Sequence, residues 1–115
     1  MEHPALEPQT LARHCNEGLI LAVLAGGPRH GYQLALEIET RSDGYFRLHH
    51  GTLYPILHKL EKEGLIRGRW TTEGPRGQRR QYALTGKGRR HLRAQTTAWR
   101  EFAGRLLGIL EDSRP

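Results

Sequence analysis

The sequence predicts a mainly helical domain with a small β-hairpin: a winged helix-turn-helix followed by a long C-terminal helix suited to dimerisation. Three observations carry this. The stretch from His49 to Arg67, HHGTLYPILHKLEKEGLIR, sets Leu53, Ile56, Leu57 and Leu60 at i, i+3, i+4 and i+7 on one helical face and leaves Thr52, Tyr54, His58, Lys59 and Lys62 opposite. Two stretches with strand character, one of them clearly alternating, flank the turn Gly74-Pro75-Arg76-Gly77. From Thr85 to Asp112, Leu92, Trp99 and Leu106 repeat every seven residues, and so do Thr96, Ala103 and Leu110, which is an a/d seam.

Residues 1–8 hold two prolines and little periodicity, and read as a loose arm. Gln9 to Ala25 is the first helix, with Leu11, Cys15, Leu19 and Val23 on its apolar side and Cys15 expected to be a small buried residue; Gly26, Gly27 and Pro28 end it. Gly31 to Glu39 is the second, with Tyr32, Leu34, Ala35 and Ile38 turned inward. Asp43-Gly44 then turns the chain into a short extended connection, Tyr45 to Leu48. Pro55 has no N–H to donate, so the third helix is expected to begin near Gly51 or Thr52, with Pro55 in its first turn and Gly64 as its left-handed stop. The outer face of this helix carries groups that meet phosphates and base edges.

Leu65 to Thr72 and Gln81 to Leu84 are the two strands of the wing, on which Trp70 is expected to pack. Residues 9–84 thus form one winged unit and 85–112 the last helix. Phe102, Leu107 and Ile109 widen its seam beyond what a small domain uses, so the surplus predicts a homodimer interface.

A chain of 115 residues makes one domain, with little room for a catalytic cleft beside a second module. No paired acid and base or activated nucleophile is visible, so an enzyme is not expected, nor any cofactor. The net charge is +6, and nine of the eighteen Lys and Arg residues lie between Arg67 and Arg93, where Glu73 is the only acid. Such concentration marks a polyanion binder, here double-stranded DNA. A membrane-surface helix would set an apolar face beside its charge, which Arg67 to Arg80 lacks. The longest apolar run, Leu19 to Ala25, is seven residues, and no signal segment is apparent, so the expected location is the cytoplasm.

Two other readings follow from the same residues. Seven histidines and Cys15 raise a metal-responsive repressor, but His14-Cys15 and His49-His50 are adjacent pairs that point about 100° apart on a helix. A winged module used only for protein interaction should carry a neutral or acidic third helix and wing, and this chain carries basic ones.

Gly51-Thr52-Leu53-Tyr54-Pro55, Leu60-Glu61-Lys62-Glu63-Gly64-Leu65-Ile66, His30-Gly31-Tyr32 and Tyr82-Ala83-Leu84-Thr85 together resemble the PadR family of bacterial transcriptional regulators over roughly Leu19 to Trp99. The resemblance implies a homodimer joined through its first and last helices, binding a pseudo-palindromic operator as a repressor and releasing it when an effector binds. It implies DNA contacts at Gly51, Thr52, Tyr54, His58 and Lys59 and, on the wing, at Arg76, Arg79 and Arg80. The single last helix is similar to the small-protein branch of the family, some of whose members repress multidrug transporters and bind flat aromatic compounds between subunits. Trp99, counted without a gap from Leu84-Thr85, falls where those members carry a ligand-stacking tryptophan; an interface core aromatic is the alternative.

The chain departs from the pattern twice. His58 stands where Lys or Arg is usual, which makes a contact there weaker and pH-dependent. Gly86 and Lys87 replace an acidic pair at the start of the last helix, which removes capping and macrodipole support. The cluster Lys87, Arg89, Arg90 and Arg93 either trades helix stability for polyanion contact or points away from DNA.

Overall fold

The computed structural model describes residues 15–72 and 79–115. The expected N-terminal arm, the expected start of the first helix at Gln9 with Leu11 and His14, and the expected wing turn with Arg76 lie outside the described residues. Among the described residues, four helices and a three-stranded antiparallel sheet follow in the order α1 (Asn16–Leu24), β1 (Arg29–His30), α2 (Gly31–Arg41), α3 (His50–Lys62), β2 (Ile66–Thr71), β3 (Arg79–Leu84) and α4 (Gly86–Leu110).

The core is built from the apolar stripes of α1 to α3: Ile20, Leu21 and Leu24 of α1, Leu34 and Ile38 of α2, and Leu53, Leu57 and Leu60 of α3 are almost completely buried, with Ile56 half-buried beside them. Ile66 and Tyr82 close this core from the sheet. Two expectations about side chains change. Tyr32 stands on the outside of α2, 43% exposed, because Leu34 and Ile38, one turn apart, already fill the inner stripe. Cys15 is half-buried at the N-cap of α1, at the rim of the core.

Pro55 lies inside α3 and not in its first turn. His49 is the N-cap, and the amides of Thr52 and Leu53 both donate to its carbonyl at 2.9 Å. The helix therefore starts before Gly51, and the missing N–H of Pro55 falls opposite the carbonyl of Gly51, four residues earlier. That position is exposed, so water can satisfy the carbonyl. Gly64 ends the helix with φ +77°, as a left-handed stop requires.

The sheet differs from the expected layout. Residues 45–48 form no strand, and the third strand is Arg29–His30, which pairs with β3 in the order β1-β3-β2. Arg29 faces Tyr82 and His30 faces Gln81, while β2 and β3 run in register from Ile66↔Leu84 to Thr71↔Arg79. Two residues are too few to show a period, so this strand exists only because the break after α1 carries it to the edge of β3.

Thr85 caps α4, its Oγ1 accepting from Gly88 N at 3.0 Å. Gly88 is buried, and a Cβ there would stand 2.1 Å from the carbonyl oxygen of Leu65, so its absence lets the first turn of α4 close on the connection between α3 and β2. The 25-residue helix is about 37 Å long. Leu92 packs against the core, whereas Trp99, Phe102, Leu106, Leu107, Ile109 and Leu110 are all exposed.

Candidate nucleic-acid interface

The outward stripe of α3 begins in its first turn. Gly51, Tyr54 and His58 are spaced three and four residues apart, on one side of the helix, with Thr52 beside them, and all four are exposed. A Cβ on Gly51 would meet nothing within 4 Å, so no internal packing accounts for glycine at this point. Tyr54 is both held and presented. Its ring stacks on His50 at 5.8 Å and 13°, and it closes over Gly31, where a Cβ would lie 2.9 Å from the hydroxyl, yet 45% of the residue is exposed.

Beside this stripe, β1 and the start of α2 support the wing. The His30 and Tyr32 rings lie parallel at 6.0 Å, and the Arg79 guanidinium sits 4.9 Å over Tyr32. His30 is buried, with Nδ1 3.3 Å from the carbonyl oxygen of Arg80, and its amide donates to Gln33 Oε1 at 2.8 Å. Between α3 and the hairpin runs a cleft lined by Tyr54, His58, Glu61, Trp70, Arg80 and Tyr82. Trp70 is exposed on the strand and not packed as expected, with the Arg80 guanidinium 5.5 Å from its ring centre.

Two of the expected contact residues are already paired. Lys59 Nζ donates to Glu17 of α1 at 2.7 Å and lies 3.8 Å from Glu63; the hydrogen bond to Glu17, more than Coulomb attraction, holds its ammonium above the usual lysine range. Arg80 Nη2 donates to Glu61 Oε2 at 2.5 Å. Arg76 lies outside the described residues. The structure thus brings Gly51, Thr52, Tyr54 and His58 together with Arg79 nearby, and turns Lys59 and Arg80 towards carboxylates. The cluster on α4 divides too: Lys87 reaches back to the C-terminus of α3, and Arg89, Arg90 and Arg93 are exposed.

Sequence reasoning gave no role at this site to His30, Tyr32, Glu61 or Gly68. His30, Tyr32 and Glu61 lie in motifs that carry the family resemblance, which signal their presence but not their role; Gly68 has no signal, because its partner Arg80 is twelve residues away on the other strand.

Trp99 is 39% exposed and meets Phe102 edge to face at 5.7 Å. It borders an apolar groove between α1 and α4 with Cys15, Leu19, Phe46 and Leu92. Gln95 also lines this groove, its Oε1 buried with no hydrogen-bond partner among the described residues. Among the described residues no group of three or more His, Cys, Asp or Glu side chains is placed to hold a metal ion, and no helix is long and apolar enough to cross a membrane.

The chain is similar to known proteins in sequence and in fold. Residues 20–94 match the profile of the transcriptional regulator PadR-like family. The chain belongs to the PadR family. A transcriptional regulator of Mycobacterium tuberculosis is 36% identical over 89 residues, which span 77% of this chain and 79% of that protein. A solved PadR-family regulator from Eggerthella lenta has a TM-score of 0.76 at 29% identity, covering 90% of this chain and 88% of its own. Bacillus subtilis PadR, solved in complex with operator DNA, has a TM-score of 0.65 at 28% identity over 71% of this chain and 45% of that one. PadR-family proteins are regulators of transcription and not enzymes, and the winged-helix fold with its long last helix is common to this chain and its solved relatives.

Proposed function

We propose that this PadR-family protein is a ligand-responsive repressor that binds a pseudo-palindromic operator in duplex DNA as a homodimer in the cytoplasm. The open stripe of Gly51, Thr52, Tyr54 and His58 beside a cationic wing carries the reading. In it, α3 enters the major groove, the stripe meets base edges and phosphates, and Arg79 meets the neighbouring backbone, with Arg76 of the wing turn in the same role. Bacillus subtilis PadR bound to operator DNA supports it by analogy of family and fold. Lys59, paired with Glu17, contributes to the field of the surface more than to a direct contact.

In this reading residues 9–84 are the DNA-binding unit and 85–112 the dimerisation helix. The support is the apolar face of α4, on which Trp99, Phe102, Leu106, Leu107, Ile109 and Leu110 are all exposed. A flat aromatic effector would stack on Trp99 beside the groove against α1. Footprinting on duplexes selected from a random-sequence library tests the core of the proposal. Two protected half-sites about 10 base pairs, or 34 Å, apart are expected. A single half-site, or a monomer in sedimentation at micromolar concentration, would overturn it.

A further inference from the structure

Arg80 leaves β3 on the side facing α3, crosses β2 at Gly68 and ends on Glu61. The same carboxylate oxygen accepts from the amide of Gly68 at 3.2 Å, so one atom of Glu61 ties a helix to both strands of the wing. Gly68 is what lets the side chain through: a Cβ there would stand 2.6 Å from Arg80 Nε. Trp70 and Tyr82 flank the guanidinium at 5.5 and 5.9 Å. Both charged side chains are about two-thirds buried, with 32% of Arg80 and 30% of Glu61 exposed.

Neither helix preference nor polyanion binding explains an acid at this point. Glu61 lies in the last turn of α3, where the helix macrodipole disfavours negative charge, and it borders the cleft that the DNA-binding reading turns towards phosphates. With about a third of each side chain open to solvent, screening keeps the pair's contribution to stability modest. What the arrangement does supply is a fixed geometry, since guanidinium, carboxylate, strand amide and two aromatic rings are mutually positioned.

We propose that Glu61 and Arg80 form a wing-positioning pair: Arg80 acts on DNA through Glu61, by setting the angle between the recognition helix and the hairpin that carries Arg67, Arg69 and Arg79, and does not itself neutralise a phosphate. This rests on the DNA-binding reading above. It predicts an effect opposite in sign to simple electrostatics, because removing the acid should weaken binding to a polyanion.

The test measures affinity and its salt dependence for the full chain on a duplex selected by the parent protein from a random library. Glu61→Gln and Gly68→Ala are the decisive variants; the second changes no charge and pushes Arg80 off its path with a methyl group. Each is expected to bind about tenfold more weakly, with a shallower salt slope because wing cations lose their phosphates. Glu61→Gln combined with Arg80→Gln should be no worse than Arg80→Gln alone. In a Trp99→Phe background, Glu61→Gln should also shift the emission of Trp70, which reads the pair without DNA.

If Glu61→Gln and Gly68→Ala, folded by circular dichroism, bind as tightly as the parent while Arg80→Gln alone loses affinity and slope, Arg80 is a direct phosphate contact and the proposal is overturned. A parent protein that binds no duplex at all overturns instead the reading on which the proposal rests.

Discussion

Lys87, in the first turn of α4, donates from Nζ to the backbone carbonyl of Glu63 at 2.8 Å. A cation badly placed for its own helix thereby closes the C-terminus of α3, where the macrodipole favours positive charge. Thr85 completes the junction, with its amide donating to Leu65 O at 3.1 Å and its hydroxyl 2.7 Å from Gly64 O. Lys87 thus gives its support to the end of α3 and not to the start of its own helix.

Gly88 is the tightest point of that junction. Gly88→Ala would bring a Cβ to 2.1 Å from Leu65 O and 2.7 Å from Leu84 Cδ1, and a backbone carbonyl cannot swing aside as a side chain can. The expected loss is at or beyond the upper end of the roughly 1–3 kcal/mol typical of overpacking, read as a lower urea midpoint. A parental midpoint would mean that α4 does not approach Leu65 this closely in solution.

Gly51 predicts the opposite balance. With open space around it and a helical backbone, Gly51→Ala should stabilise the free protein by roughly 0.5–1 kcal/mol. If glycine is there to let a phosphate or base edge approach α3, the same variant binds operator DNA more weakly. Thermal melting and a binding titration together decide it, and a variant that is more stable and binds equally well removes Gly51 from the contact surface.

The exposed face of α4 predicts dimerisation through Leu106 and Ile109, which are 44% and 78% exposed in the single chain. Leu106→Asp would place a carboxylate in an apolar interface and should shift the sedimenting species from dimer to monomer at micromolar concentration. An unchanged dimer would locate the interface elsewhere.

Trp99 offers a separate optical test. Planar cationic dyes should quench its fluorescence in a Trp70→Phe background, by stacking on the exposed indole face. Trp99→Ala should lose that dye binding. Equal affinity in the alanine variant would leave Trp99 as interface packing.

Acid should loosen the tie between β1 and α2. Arg29, through its hydrogen bond first, and then Arg41 hold the Glu37 carboxyl below the ordinary value of about 4.5. A carboxyl depressed in the folded state contributes stability that is present above its unfolded value and is lost as pH falls through the lower folded one. Glu37→Gln should therefore be less stable than the parent at pH 7, and the gap should close below pH 4.5. A gap that stays constant across an acid series of urea melts would assign the effect to packing.

Sequence by itself determined the parts of this protein that repeat with a local period. Leu53, Ile56, Leu57 and Leu60 mark the buried face of α3 because a helix returns to the same side every 3.6 residues, and Trp99 to Leu110 mark the exposed apolar face of α4 for the same reason. Gly64 at φ +77° and the family motifs around it were legible because they are short and contiguous. Only the tertiary structure decided what depended on partners remote in the chain. Glu61 and Arg80 are nineteen residues apart and Glu17 and Lys59 forty-two, so no local pattern says which cations are held by carboxylates and which remain open. The two-residue strand at Arg29–His30 likewise has no period of its own and is defined by its hydrogen bonds to β3. Pro55 failed as a marker of the helix start because losing one hydrogen bond at an exposed turn costs less than the burial of Leu53, Leu57 and Leu60 returns.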